Sequence, residues 1–412
     1  MSEKTSFQGE IHGNSQREFQ GNFAEQKRRE FVKNSAKIAG IAMLAGTLPL
    51  PLTAANAANS TANSKTNSNL NFAKNSQIST KGQTMQNPNS AKNAANLNSN
   101  LVQNSQTQSL NSAAQVWFIT GGSGGLGFAL AKYLLEKGDK VAVTSRKKGV
   151  EARFKGLATS ENFLPLVLTF DAKIDEQIKQ NLAQIQAKFG RLDNVVNNAG
   201  YGLLGFVEEV SEKQLREQFE VNVFAPFLVA QNALKVLRPQ ALREGGSAAN
   251  IKARIYNLSS IGGFRVSNVS TPYCMSKFAL SALSEGLMLD AADFGIAAIN
   301  VMPAGFRTEF LGTSMNLGEG QIAAYNAKRE AFLKRTKAYS GTQAGDPAKF
   351  AQIIYKTSRL KKPPFSLFMG DAAYKSARNK IAFVQEDMKA TESYAGAAAD
   401  FAGSAGSAFD KR

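Results

Sequence analysis

Short, continuous apolar runs separated by longer amphipathic segments mark the chain after residue 115. Val116 to Ile119 is such a run, which is typical of a strand buried on both faces of a sheet. A glycine-rich turn follows from Thr120 to Gly127, then leucines at helical spacing, and then a second apolar run from Val141 to Thr144. This order of strand, glycine-rich turn, helix and strand predicts a βαβ unit.

The same alternation of apolar runs and helical periodicity continues for about 250 residues. The further predicted strands are Leu164 to Phe170, Asn194 to Asn197, Arg254 to Leu258, Ile296 to Val301 and Phe365 to Phe368. The intervening predicted helices include Ile174 to Phe189, Ser211 to Leu237 and Ala372 to Met388. The pattern predicts one α/β domain over residues 115–390, a Rossmann-type doubly wound parallel β-sheet with helices on both faces.

The segments on either side of this domain have a different composition. Residues 58–114 contain no Asp or Glu and consist mainly of Asn, Ser, Ala, Gln and Thr. Such a segment cannot bury enough apolar surface to offset its ordering entropy, so we expect a disordered linker. The Ala/Gly/Ser-rich tail at residues 391–412 is expected to be disordered for the same reason.

Residues 1–57 have the pattern of an export signal. Lys27-Arg28-Arg29 precedes an uncharged apolar stretch from Ile38 to Leu52, and Ala55-Asn56-Ala57 offers a cleavage site of small residues. The paired arginines resemble a bacterial twin-arginine signal. We therefore expect a periplasmic protein without a stable membrane span after processing; the alternative is a cytoplasmic protein with an amphipathic or disordered N-terminus.

The scarcity of two residue types excludes several chemistries. The sole histidine is His12, outside the predicted domain, and the sole cysteine is Cys274. Ser-His-Asp and Cys-His hydrolases, Cys/His metal sites and intrachain disulfides are therefore excluded, and no metal is expected. The net charge of +17 forms no motif with interleaved aromatic residues, so no nucleic-acid partner is expected.

The most credible acid-base pair lies at the start of a predicted helix. Tyr273 and Lys277 are four residues apart and would share one helix face. A lysine ammonium near a phenol favours the phenolate, so we expect Lys277 to lower the Tyr273 pKa toward neutrality. A solvated Tyr/Lys pair at this spacing is the plain structural alternative. Cys274, between them, is expected to point away as a small buried residue.

The end of the second strand indicates the cofactor. An acid there would select NAD by accepting from the ribose 2′-hydroxyl, but this sequence has Ser145 followed by Arg146-Lys147-Lys148. A cation in place of the acid favours a 2′-phosphate. The sequence therefore predicts NADP(H), with NAD(H) the less favoured cofactor.

Taken together, these motifs resemble the classical short-chain dehydrogenase/reductase family, and its NADP-preferring members in particular. The resemblance extends from about Val116 to Tyr374. It implies that Tyr273 is the general acid/base, that Ser260 binds the substrate oxygen, and that Lys277 holds the nicotinamide ribose. Asn222 would complete a water-linked proton relay. The cofactor contacts that it implies are Gly121, Ser123, Gly125, Leu126, Gly127, Ser145, Arg146, Asp171, Ala172, Asn198, Ala199, Gly200, Tyr273, Lys277, Pro303 and Thr308.

One departure from the family pattern lies beside the expected nicotinamide site. Ala304 follows Pro303 where glycine is usual, and Gly305 comes next. The family pattern therefore does not determine the backbone path at this segment. Residues 310–335 correspond to the family's variable substrate-covering region. Its apolar residues either line an apolar site or form the core of two helices; they are Leu311, Met315, Leu317, Ile322, Tyr325 and Phe332, together with Tyr201, Leu203, Phe206 and Phe264.

The expected activity is hydride transfer between nicotinamide and a secondary alcohol/ketone or an aldehyde, by a Tyr/Lys/Ser mechanism. The substrate is expected to be a small, apolar molecule, and the family resemblance implies a homo-oligomer. The alternative is a non-catalytic NADP-binding redox sensor or interaction module on the same fold. The presence of Ser260, Tyr273 and Lys277 together favours the enzyme, because a sensor has no need of all three.

Overall fold

The computed structural model describes residues 113–396. Its main element is a seven-stranded sheet in the order β3-β2-β1-β4-β6-β7-β9, and every neighbouring pair of strands is parallel. The strands of this sheet are β1 Val116–Ile119, β2 Lys140–Ser145, β3 Phe163–Val167, β4 Asn194–Asn197, β6 Ala253–Leu258, β7 Ile296–Pro303 and β9 Ser366–Met369. The predicted doubly wound parallel sheet is confirmed.

Helices cover both faces of the sheet. They are α1 Gly125–Glu136, α2 Ile174–Phe189, α3 Glu212–Phe219, α4 Ala225–Arg243, α5 Thr271–Ala291, α6 Asn326–Tyr339, α7 Pro347–Ser358 and α8 Asp371–Ala395. One apolar core lies between the sheet and α2, α4 and α5, and the other lies between the sheet and α1 and α7. Strand β1 contributes alternate side chains to the two cores: Val116 and Phe118 to the first, Trp117 and Ile119 to the second. This explains why its sequence is continuously apolar.

Several element boundaries differ from the predicted ones. Strand β3 ends at Val167 instead of Phe170, because its neighbour β2 ends at Ser145, the residue paired with Val167. The helix expected to end at Met388 continues to Ala395. The predicted helix from Ser211 begins there, since Ser211 caps α3 by accepting from the Gln214 amide, but it runs on to Arg243 through one π-helical turn.

A second, two-stranded sheet was not predicted. Its strands, β5 Gly202–Leu204 and β8 Met315–Leu317, pair in parallel. Each has three residues, which is too short for a period-two pattern to stand out.

The leader, its proposed cleavage site, residues 58–112 of the linker and residues 397–412 of the tail lie outside the described residues. Within residues 113–396, no helix is both long and apolar enough to cross a membrane. The same residues contain no group of three or more His, Cys, Asp or Glu side chains placed to hold a metal ion.

Candidate active site

The residues expected to bind cofactor and substrate lie at one edge of the sheet. Strands β1, β2, β4 and β6 lead directly into the glycine-rich turn, Ser145-Arg146, Asn198-Ala199-Gly200 and Ser260, respectively. Because all these strands are parallel, their carboxyl ends meet at the same edge. Ligands bind at that edge in open α/β sheets.

The glycine-rich turn packs tightly against the segment that follows β4. Gly121 has a φ of +67°, and a Cβ on it would lie 2.9 Å from the Cα of Ala199. A Cβ on Gly127 would lie 2.4 Å from the Asn198 Nδ2. That amide donates to the carbonyls of Thr120 (2.9 Å) and Gly121 (2.8 Å). The Asn198 side-chain amide therefore holds the glycine-rich turn in place by two hydrogen bonds.

The tip of the turn is open. A Cβ on Gly124 would meet no atom within 4 Å, and on Gly125, which has a φ of +55°, the nearest neighbour would be the Thr308 Cβ at 3.9 Å. Gly124 is the N-cap of α1, with no side-chain cap and no acidic residue in the first helical turn. Free backbone N–H groups and the helix dipole at such a terminus favour a phosphate.

The two residues expected at the adenosine ribose have different environments. Ser145 is buried at the end of β2, and its hydroxyl donates to the carbonyl of Lys147. Arg146 is exposed. The hydroxyl is therefore engaged in shaping the turn, while the guanidinium faces solvent.

Asp171 lies four residues beyond the end of β3, in a turn that leads into α2. Its carboxylate accepts from the Thr169 hydroxyl (2.7 Å), the Lys173 amide (2.9 Å) and the Gln177 amide (3.4 Å). The Thr169 hydrogen bond, followed by that of Lys173, lowers the pKa of Asp171. Asp171 and its neighbour Ala172 are both exposed.

Ser260 and Tyr273 converge beside Gly262. A Cβ on Gly262 would lie 3.3 Å from both the Ser260 Oγ and the Tyr273 Cε1. The Ser260 hydroxyl accepts a 3.0 Å hydrogen bond from the Gly262 amide, which fixes its position after β6. Burial raises the pKa of Tyr273 to about 12, and hydrogen bonding with Ser260 acts in the opposite direction. The phenol is therefore protonated at neutral pH.

Lys277 is buried one helical turn after Tyr273. Its Nζ lies 5.8 Å from the centre of the Tyr273 ring and donates a 2.7 Å hydrogen bond to the Leu258 carbonyl. Burial lowers the pKa of Lys277 to about 8. The prediction that Lys277 brings the Tyr273 pKa toward neutrality is wrong for this geometry, because burial of the phenol outweighs the other influences on it.

Asn222 lies in the π-helical turn Glu220–Phe224 between α3 and α4, and π-turns are frequent at functional sites. Its amide donates to the Tyr201 carbonyl (2.9 Å) and the Ser276 hydroxyl (3.0 Å), and its Oδ1 accepts from the Tyr201 amide (3.1 Å). A Cβ on Gly200 would lie 3.0 Å from the Asn222 Oδ1 and 3.5 Å from the Lys277 Nζ. Asn222 and Lys277 thus face the same point of the backbone.

The segment with the unusual alanine continues the sheet edge. Pro303 is the last residue of β7, and the Ala304 amide donates to the carbonyl of Met369, the last residue of β9. A Cβ on Gly305 would lie 2.3 Å from the Tyr339 hydroxyl. Gly305 therefore lies where the Tyr339 side chain of α6 leaves no room for a Cβ.

Residues 309–339, the covering segment, are fastened to the domain at several points. Strand β8 pairs with β5, and the Gln214 amide donates to the Leu317 carbonyl at 2.9 Å. The buried Glu209 carboxylate accepts from the Ile322 amide (2.9 Å) and pairs with Arg329. The Phe310 ring lies 5.4 Å from the Tyr273 ring, and its Cζ is 2.9 Å from where a Cβ on Gly202 would lie. Phe310 therefore covers the tyrosine.

The apolar residues predicted for this region do not form the core of two helices. Met315 and Leu317 lie in a strand, and none of the six candidates from Leu311 to Phe332 is fully buried. Tyr325 stacks on Phe206 with ring centres 4.2 Å apart, and Phe264 packs edge-on against Phe368. Of the four earlier candidates, Leu203 is buried at 1% exposure.

Two residues that hold the site together were not predicted from the sequence. Gln218 is buried and bonds to the Leu203 amide (3.0 Å) and the Tyr201 carbonyl (2.7 Å). The Ser276 hydroxyl accepts a 3.0 Å hydrogen bond from the Asn222 side-chain amide. Gln218 precedes Asn222 by four residues, and Ser276 directly precedes Lys277. Their closeness in sequence to predicted site residues was therefore the signal that could have identified them.

Cys274 is buried, and its Sγ lies 3.3 Å from the Ser270 hydroxyl.

Comparison with known proteins assigns the chain to a family. The sequence model of the short chain dehydrogenases matches residues 115–316. Oxidoreductase BOA17 of Botryotinia fuckeliana is 32% identical over 263 residues, which cover 64% of this chain and 91% of the relative. A solved short-chain dehydrogenase from Streptomyces avermitilis is 30% identical, with a TM-score of 0.60 and coverage of 69% of this chain and 98% of that one. The structure of ElxO with NADP bound is 25% identical, with a TM-score of 0.51 and coverage of 64% and 100%. The chain, as its motifs predicted, belongs to the short-chain dehydrogenase family of oxidoreductases.

Proposed function

We propose that the protein is an NADP(H)-dependent oxidoreductase that interconverts a carbonyl compound, a ketone or an aldehyde, with the corresponding alcohol. The observation that carries this proposal is the convergence of Ser260 and Tyr273 at Gly262, with Lys277 one helical turn away. A protonated phenol and a hydroxyl at one point can bind and protonate a single substrate oxygen.

The glycine-rich turn fits a dinucleotide. The open space at Gly124 and Gly125 and the uncapped start of α1 suit a pyrophosphate, because a backbone without Cβ atoms can approach it closely. Thr308 lies on the other side of the same opening. ElxO, a structural relative, has been solved with NADP bound. We assign the pyrophosphate to this turn and the nicotinamide end to the neighbourhood of Lys277 and Pro303.

The preference for NADP over NAD is argued from charge. No acidic residue immediately follows β2, and the exposed Arg146 can extend toward a 2′-phosphate, with Lys147 and Lys148 beside it. An arginine offers two parallel hydrogen bonds to a phosphate, which a ribose hydroxyl cannot match. The ribose 2′-hydroxyl of NAD(H) would face the Arg146 cation here instead of a carboxylate that could accept its hydrogen bond.

When bound, the nicotinamide supplies the hydride. In the direction of reduction, Tyr273 donates its phenolic proton to the substrate oxygen. Its raised pKa keeps the phenol protonated and neutral at pH 7. Ser260 holds the same oxygen. Lys277, with a pKa near 8, can take up and release protons close to neutrality, and Asn222 faces the same point as its ammonium. We propose that these two residues return a proton to Tyr273 through water.

An apolar substrate suits the surroundings of Tyr273. The Phe310 ring packs on the Tyr273 ring and approaches Gly202, so it forms an aromatic wall beside the tyrosine. An aromatic wall excludes water and favours alkyl or aryl groups next to the carbonyl.

The test is NADPH oxidation measured against a panel of ketones and aldehydes of graded size and polarity. We expect turnover that is greatest with apolar carbonyls. In Tyr273→Phe, turnover should fall by at least two orders of magnitude while NADPH binding, followed by fluorescence, stays within a few fold. NADPH binding without turnover of any panel member in the parent chain would support the non-catalytic binding module instead.

We further propose that the twin-arginine pattern directs export of the folded domain to the periplasm. The support is the order of basic, apolar and small-residue segments within residues 1–57. Arg28→Lys with Arg29→Lys should leave the full-length chain in the cytoplasm, whereas the parent should be recovered from the periplasm, cut near Ala57. An unprocessed parent in the cytosolic fraction would contradict export.

A further inference from the structure

Residues 201–205, the junction segment, include the short strand β5 and are bonded to the covering segment. The Gly202 amide donates a 2.9 Å hydrogen bond to the Ser314 carbonyl, and the Leu204 carbonyl accepts a 2.8 Å hydrogen bond from the Gly318 amide. Ser314 and Gly318 lie directly before and after β8. The backbone of the junction segment is therefore one of the supports on which the covering segment rests.

Gln218, in α3, fixes the backbone of the junction segment. Its fully buried side chain accepts a 3.0 Å hydrogen bond from the Leu203 amide and donates a 2.7 Å hydrogen bond to the Tyr201 carbonyl. Asn222, one helical turn later, donates to the same carbonyl at 2.9 Å and accepts from the Tyr201 amide at 3.1 Å. Gln218 thus holds the chain on both sides of Gly202.

The backbone at Gly202 determines where Phe310 can lie. A Cβ on Gly202 would be 2.9 Å from the Phe310 Cζ, which is closer than two such carbon atoms approach. The centre of the same ring is 5.4 Å from the centre of the Tyr273 ring. Because protein interiors are close-packed, the Phe310 ring cannot keep both contacts if Gly202 shifts.

The junction segment also holds the loop that precedes Tyr273. The Gly205 amide donates a 2.8 Å hydrogen bond to the carbonyl of Val269, four residues before the tyrosine. Val269 has a φ of +61°, a conformation that is strained for a β-branched residue. Such strain persists only where the surrounding contacts impose it. The hydrogen bond from Gly205 is one of these contacts, at the start of the helix that carries Tyr273.

We propose that Gln218 is a positioning residue for the proposed reaction: by fixing the junction segment, it places Phe310 beside Tyr273 and so shapes the site for the apolar part of the carbonyl substrate. A glutamine suits this role because one side chain both donates to a carbonyl and accepts from an amide two residues further on. Gln218 acts through the backbone of Tyr201 and Leu203 and takes no part in proton transfer. The effect on substrate rests on the proposed function, whereas the effect on the covering segment does not.

A matched control for Gln218 is Gln240 in α4. Its buried side chain accepts from the Leu192 amide at 3.0 Å and donates to the Leu192 carbonyl at 2.8 Å, with a longer contact to Asp193 at 3.4 Å. Leu192 precedes β4, so these bonds lie at the edge of the sheet opposite the candidate active site. Gln218→Met and Gln240→Met each leave a buried amide unpaired, and both should unfold at lower urea concentrations than the parent.

The effect on the covering segment is tested by hydrogen–deuterium exchange of the full chain without added cofactor, read by mass spectrometry. Gln218→Met should speed exchange of residues 309–318 by at least about threefold, because the backbone that supports them is no longer fixed. Gln240→Met should leave that rate at the parental value. Parental exchange in Gln218→Met, or equal acceleration in the two variants, would overturn the positioning role.

The effect on substrate is tested by kcat and KM at saturating NADPH, with benzaldehyde and every other panel carbonyl that the parent turns over. Gln218→Met should raise KM by at least about fivefold and change kcat by less than about threefold, because Ser260 and Tyr273 keep their own contacts. Gln240→Met should have the parental KM. An unchanged KM in Gln218→Met would overturn its role in substrate binding. A parent chain without turnover would contradict the proposed function, and the exchange experiment would still decide whether Gln218 positions the covering segment.

Discussion

Lys277 donates a 2.7 Å hydrogen bond from its ammonium group to the backbone carbonyl of Leu258, the last residue of β6. The bond ties the helix that carries Tyr273 to the strand that leads into Ser260. It also holds a cation at 5% exposure, where burial lowers the Lys277 pKa to about 8. The buried Lys277 ammonium thus lowers the stability of the fold at neutral pH.

This cost has a definite pH dependence. The folded-state pKa of Lys277 is about 8 and the unfolded value is near 10.4, so between these pH values the unfolded chain binds more protons. The contribution of Lys277 to the free energy of unfolding should therefore rise from pH 8 to pH 10, by roughly 3 kcal/mol at most. Lys277→Met removes this contribution.

Urea unfolding of the cofactor-free chain at pH 7.5, 8.5, 9.5 and 10 measures the effect. The difference in stability between the parent and Lys277→Met should shift in favour of the parent as pH rises. Lys213→Met serves as the control for the loss of a solvated lysine, because the Lys213 side chain is 83% exposed. Parallel pH profiles for the parent and Lys277→Met would contradict the buried, shifted ammonium.

A second prediction separates the two roles of the glycine-rich turn. Gly124→Ala adds a Cβ in open space, so unfolding of the cofactor-free chain should change by less than about 1 kcal/mol. The same Cβ occupies the opening assigned to the pyrophosphate and should weaken NADPH binding at least tenfold. Gly121→Ala, at a φ of +67° and 2.9 Å from the Ala199 backbone, should instead destabilise the apo fold by at least about 1 kcal/mol. Unaltered NADPH affinity in Gly124→Ala would show that the pyrophosphate lies elsewhere.

The sequence was most informative where residue type follows from backbone position. Gly121, Ser260 and Tyr273 lie at or near the ends of strands and helices. Parallel strands bring such ends to one edge of the sheet, so these residues could be placed together without knowledge of any tertiary contact. The pKa of Tyr273 was not predictable in the same way. It depends on how deeply the phenol is buried, and one residue that packs on its ring, Phe310, is distant in sequence. Strands β5 and β8 were missed because three residues carry no periodicity.

A third prediction concerns the choice of cofactor. Ser145→Asp with Arg146→Ile removes the cation proposed to bind the 2′-phosphate and adds an acid that repels it and accepts from a 2′-hydroxyl. The ratio of kcat/KM for NADPH to that for NADH should fall by one to two orders of magnitude. Because Ser145 is buried and its hydroxyl donates to the Lys147 carbonyl, Arg146→Ile alone is the cleaner variant and should produce most of the change. An unchanged ratio in both variants would assign phosphate recognition to other residues.

The last prediction concerns the attachment of the covering segment. The Glu209 carboxylate is 2% exposed and joins this segment through Arg329, whereas Glu212 and Arg216 form an exposed pair within α3, with exposures of 78% and 75%. Removing Arg329 leaves a buried carboxylate without its cation, and such a loss disrupts local structure far more than loss of a solvated pair. Arg329→Met should therefore loosen α6.

Limited trypsin digestion followed by mass spectrometry detects that loosening. Lys334 and Lys337 lie on α6, downstream of Arg329, so both cleavage sites remain in Arg329→Met. Their cleavage should be severalfold faster in that variant than in the parent, because proteolysis follows the population of the locally opened form. Arg216→Met, which removes the exposed pair, should cleave at the parental rate. Equal rates of trypsin cleavage in the parent, Arg329→Met and Arg216→Met would mean that the ion pair is not needed to hold the covering segment. Strand β8 and the hydrogen bond from Gln214 to Leu317 would then anchor the segment through its first half.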